Sequence, residues 1–136
     1  MSDLDDFLQM AMNYCVVKDV HLRVGKTFVL SVLHGPISRI GQDVVEELEI
    51  EFGDLIAIMA DLRMEPWLEV LGHGLIEQST YLQEKDFKEA GKPDPFHFRF
   101  RCDEGTLDII ARRFSIISRQ ETPVAGRGFF ICDNCI

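Results

Sequence analysis

The stretch "PFHFRFRCDEG" at 95–105 constrains the fold more than any other part of this chain. Phe96, Phe98, Phe100 and Cys102 alternate with His97, Arg99 and Arg101, so a period of two puts apolar side chains on one face and cations on the other. Such a segment is a half-buried strand that needs a neighbour and a core to cover its rings. "DEG" at 103–105 suits a tight turn, and "TLDIIARRFSIIS" then returns most simply as an antiparallel strand. A short helix through Leu107, Ile110, Ala111 and Phe114 is its other reading.

The rest of the chain supplies the neighbours. Leu4, Phe7, Leu8, Ala11 and Cys15 recur at helical spacing behind Ser2, an N-cap residue, with Asp3 and Asp5 in the first turn, which predicts a helix over 3–15. "DVHLRVGKTFVLSVL" reads as two strands joined across Gly25-Lys26. The segment that follows supports two periods. Val45, Leu48, Phe52, Leu55, Met59 and Leu62 form a helical stripe, while Glu47 to Phe52 alternates strictly and Gly53-Asp54 resembles a turn. The stripe is the longer signal and favours a helix broken near Gly53. "WLEVLGHGLIEQ" suggests a hairpin across Gly72-His73-Gly74, and Ser79 caps a helix through "TYLQEKDFKEA" that Gly91 ends. "RQETPVAGRG" reads as a loop and "FFICDNCI" as a closing strand. The expected architecture is a single α+β domain over 1–136, an antiparallel sheet with two to four helices packed mainly on one face.

Charge bounds the partners. The net charge is −9, and between Arg39 and Arg63 lie Asp43, Glu46, Glu47, Glu49, Glu51, Asp54 and Asp61 with no basic residue among them. Such a chain is repelled by nucleic-acid phosphates and by anionic membranes, and its natural complement is a basic protein surface. Arg99, Arg101, Arg112, Arg113 and Arg119 are read as pairing within the protein, with Asp108 across the hairpin or with the acidic centre. The opening "MSDLDDFLQM" has acids where a secretory signal needs cations, and no run of about eighteen apolar residues occurs. A soluble, cytoplasmic protein is expected.

Chemistry-bearing motifs are few. Cys132 and Cys135 form one Cys-x-x-Cys pair, two of the four ligands that a structural zinc site requires. His97 and Cys102 fall on opposite faces of one strand and cannot easily complete it. Two chains pooling their pairs at a dimer axis are the other way to reach four thiolates. A redox pair needs a helix starting at the first thiol, and only Ile136 follows Cys135 here. A strand end with incidental thiols is the favoured reading, and Cys15 and Cys102 read as buried, reduced thiols. His21, His34, His73 and His97 are scattered over unlike elements, and no nucleophile elbow, phosphate loop or metalloprotease motif is present. The sequence leans away from an enzyme and calls for no organic cofactor.

These readings converge on a small acidic interaction protein, of the inhibitor, immunity or adaptor kind, binding a basic protein through Asp43, Glu46, Glu47, Glu51 and Asp54. The alternatives are a zinc- or ligand-binding domain using Cys132 and Cys135, and a structural subunit of a larger assembly.

Overall fold

The alternation read at Phe96 extends over most of the chain. The computed structural model describes residues 2–10, 15–23, 27–39, 42–63, 68–84, 87, 89–103 and 105–123. Among these lie eight strands: β1 (Cys15–Arg23), β2 (Thr27–Arg39), β3 (Gln42–Gly53), β4 (Ala57–Leu62), β5 (Leu68–Leu75), β6 (Phe96–Cys102), β7 (Gly105–Ala111) and β8 (Arg113–Pro123). Two short helices accompany them, α1 (Asp3–Gln9) and α2 (Thr80–Glu84).

The strands form one sheet in the order β4-β7-β6-β5-β1-β2-β3-β8, antiparallel at every paired edge. Its two ends are joined through the chain, since β4 continues β3 and β8 continues β7. The ladder runs on through the bend: Gly53 faces Arg113, Ala57 faces Ile110, and between them Ile56 N–H donates to the Ile110 carbonyl at 2.8 Å. The hydrogen-bonded path thus returns to its start, and the sheet closes into a barrel whose corners are these bends.

This corrects the α+β expectation of several helices layered on a sheet. The helical stripe from Val45 to Leu62 is not a helix; it falls on β3, the bend at 54–56 and β4. Period two wins because β3 gains a full ladder on both sides, from Phe28 to Arg39 of β2 and from Arg113 to Pro123 of β8. The bend restarts the alternation, which is how a run of strand residues mimics a spacing of three and four. The N-terminal helix is also shorter than expected: Ser2 does cap it, accepting from Asp5 N–H at 3.2 Å, but Cys15 opens β1. Residues 68–75 are one strand through both glycines, not a hairpin, and β8 takes in the start of the expected loop. Trp67, the Gly25-Lys26 turn and the C-terminal segment with Cys132 and Cys135 lie outside the described residues.

Inside the barrel, alternate residues of each long strand converge: Phe28, Leu30 and Val32, then Leu48, Ile50 and Phe52, then Phe98, Phe100 and Cys102, with Leu107, Ile109 and Ala111. Helix α1 serves as a plug. Its Phe7 is fully buried, with ring centroids 5.4 Å from Phe114, 5.8 Å from Phe98 and 6.1 Å from Phe100. Each fully buried ring contributes about 1.5–3 kcal/mol, which explains how so short a helix is held.

Candidate functional site

The alternation of "EELEIEF" sorts the acids of β3 onto two faces. Leu48, Ile50 and Phe52 point into the core, so Glu47, Glu49 and Glu51 share the opposite, outer face and are each half-buried. Their cross-strand neighbours are Leu33, Ser31 and Val29 on β2 and Gln120, Ser118 and Ser115 on β8, none of them a cation. The Ser31 hydroxyl stands 3.5 Å from the Glu49 carboxylate. Asp43 is exposed at the start of the same strand.

Glu46 and Asp54, also among the expected partner-binding acids, are paired with basic side chains of this chain. Glu46 lies on the inner side of β3 at the barrel's end and is only 3% exposed. One carboxylate oxygen accepts from His34 Nε2 at 2.7 Å; the other accepts from Arg119 Nε and Nη2, both at 3.2 Å. The buried His34 Nδ1 has no hydrogen-bond partner among the described residues. Asp54, at positive φ in the bend, accepts from Arg113 Nε at 2.7 Å, and that hydrogen bond holds its carboxyl below the ordinary value. Glu46 and Asp54 thus each carry an ion pair to an arginine of the same chain.

A second polar network lies on the outer face of β6 and β7. Ser79 Oγ caps α2, accepting from Leu82 N–H at 3.2 Å, and is 2.7 Å from His97 Nδ1. His97 Nε2 is 2.6 Å from Asp108 Oδ1, which also accepts from Arg99 Nε at 2.7 Å. Burial pushes the Asp108 carboxyl up, but the hydrogen bonds from His97 and Arg99 outweigh it and hold it below the ordinary value. The contact order serine–histidine–aspartate is that of an acyl-transfer relay. Here, however, the serine is 3% exposed and its oxygen is committed to a helix cap. The network acts as a brace, fixing α2 and Arg99 to the hairpin. The sequence offers Asp108 or the acidic centre as partners for the arginine face, and Arg99 takes Asp108; Ser79 and His97 go unread in this role, although the alternation that sets His97 and Arg99 on one face signals it.

Beside this brace an open groove of about 320 Å³ is lined by Gly72, His73, Gly74, Leu75, Ile76, Arg99 and Arg101. Strand pairing builds it: Gly72 faces Arg101 and Gly74 faces Arg99, so two residues without side chains lie opposite two with long ones. The Gly-x-Gly facing Arg-x-Arg was readable only once the register of β5 on β6 was known.

Among the described residues no group of three His, Cys, Asp or Glu side chains is placed to hold a metal ion, and no helix is long and apolar enough to cross a membrane. Cys15 and Cys102 are buried and unbonded to one another. Comparisons of the chain with known protein families, with curated proteins and with solved structures return no match.

Proposed function

We propose that this chain is a small acidic interaction domain, of the inhibitor, immunity or adaptor kind, which docks a basic protein through the outer face of β3. The observation that carries this reading is the row Glu47, Glu49 and Glu51, three carboxylates on one face whose strand neighbours on both sides are uncharged. Successive like charges along one strand face repel one another, and a cationic surface set against the row relieves that repulsion. Asp43 extends the row towards the end of the strand. Glu46 and Asp54 take no direct part, because His34, Arg119 and Arg113 already complement them.

The test is affinity capture with the purified chain, followed by titration of each captured protein. A basic partner is expected whose affinity falls steeply as salt rises and is lost on combined Glu47→Lys and Glu51→Lys. A partner whose binding is indifferent to both salt and charge reversal overturns the reading.

A further inference from the structure

We propose that the groove over Gly72 and Gly74 binds a small organic oxyanion, a carboxylate or phosphate ester, gripped by Arg101. Four arginines are already engaged within the fold. Arg99 is held by Asp108, Arg113 by Asp54 and Arg119 by Glu46. Arg112 has a buried side chain that donates to the carbonyls of Pro93 and Phe87. Arg101 has no hydrogen-bond or ion-pair partner among the described residues, in a chain with 23 Asp and Glu against 14 Lys and Arg. A guanidinium that the described residues leave unpaired amid such an excess of carboxylates, and that lines a groove, is a fork of donors held ready for a planar or tetrahedral anion.

Steric fit supports this assignment. A Cβ at Gly72 would stand 2.5 Å from Arg101 Nη2 and 3.2 Å from its Cζ, so the guanidinium lies directly against the glycine backbone. At Gly74 a Cβ would meet nothing within 4 Å, which leaves open space in the groove beside the arginine. Leu75, 38% exposed, and Ile76 give one wall apolar surface, and the volume is that of a small-molecule site. Arg99 enters the groove already oriented by Asp108, so its remaining donors face the ligand without a free charge of their own. The ligand is therefore a singly or doubly charged head on Arg101 with a short, partly apolar body lying over Gly72 and Gly74.

The site is on strands separate from the acidic row of β3, so its test is independent of partner docking. Phenyl phosphate, benzoate and inorganic phosphate are titrated calorimetrically into the full chain, into Arg101→Gln, into Gly72→Ala, and into Arg113→Gln as a control that removes an equal charge elsewhere. Circular dichroism and thermal melting check that each variant is folded. The chain should bind at least one of the two organic anions more tightly than inorganic phosphate, with phenyl phosphate ahead if the head is a phosphate and benzoate ahead if it is a carboxylate. Arg101→Gln is expected to weaken binding about tenfold or more. Gly72→Ala keeps every charge but displaces the guanidinium, and should weaken binding about threefold or more. Failure of both organic anions to bind, equal losses in Arg113→Gln and Arg101→Gln, or unchanged affinity in folded Arg101→Gln overturns the proposal.

Discussion

The Phe7 carbonyl accepts a hydrogen bond from His73 Nε2 at 2.6 Å, and the two rings meet edge-on with centroids 4.8 Å apart. A helix of seven residues is thereby fastened to the barrel at both its backbone and its side chain. The same carbonyl accepts from the Met10 N–H at 3.2 Å, so two donors converge on it where the helix ends. Phe7→Ala removes a fully buried ring from the centre of an aromatic cluster and is expected to destabilise the fold by about 3–5 kcal/mol. Denaturant unfolding followed by far-ultraviolet circular dichroism measures this; a loss below about 1 kcal/mol would mean the plug is dispensable.

Acid stability should report on Asp108. Its carboxyl is depressed in the folded chain, below the ordinary value of 3.8, with His97 and Arg99 as the groups facing it. The sign follows from linkage: a depressed folded value contributes stability that is complete above the unfolded value and lost as pH falls through the folded one. Stability of the native chain is thus expected to drop below about pH 4, and Asp108→Asn should be less stable at neutral pH while showing a shallower acid limb. Urea midpoints measured between pH 2 and pH 7 check both; parallel curves for the two proteins would exclude Asp108 as a source of the acid transition.

Both core thiols should be silent while the chain is folded. Burial first, and the nearby Cys102 second, push the Cys15 thiol up to about 12, and burial raises Cys102 as well. Only the thiolate is nucleophilic, so iodoacetamide at neutral pH is expected to leave both unmodified in native conditions and to label both after denaturation. Peptide mass mapping separates these positions from Cys132 and Cys135. Rapid labelling of Cys15 in the native chain would contradict its place in the core.

Gly105 closes the β6–β7 hairpin at a φ of 128° and lies in register with Leu62 of β4. A Cβ there would fall on the Asp61 carbonyl oxygen and stand 2.7 Å from Leu62 Cα. Gly105→Ala therefore combines a strained backbone with a clash against a neighbouring strand, and should cost more than about 1 kcal/mol. Thermal melting tests this, with Gly74→Ala, where no such clash exists, expected to melt closer to the native chain.

Several of these relationships are legible in the sequence. The Phe96–Cys102 alternation places its rings inward and its cations outward, Ser2 caps the first helix, Ser79 caps the second, and the arginines find partners in Asp108 and the acidic centre, though which arginine takes which is set by the fold. The acidic run was legible as charge but not as geometry. Read on a helix, Asp43, Glu46 and Glu47 share a face; on β3, Glu46 turns inward to His34 and Arg119 while Glu47 turns outward. One change of period thus divides the candidate site in two.

The amino-acid sequence by itself determined where apolar and charged side chains alternate, which residues cap or turn the chain, and how strongly acidic the whole is, because these are properties of neighbours a few residues apart. Only the tertiary structure decided that 42–53 and 57–62 are strands, that the sheet's ends meet, and that Arg101 lies against Gly72. Each of these depends on hydrogen bonds and charge pairs between segments far apart in the chain, such as Gly53 with Arg113 and Arg119 with Glu46. Local periodicity carries no record of which distant partner a strand or a carboxylate will find.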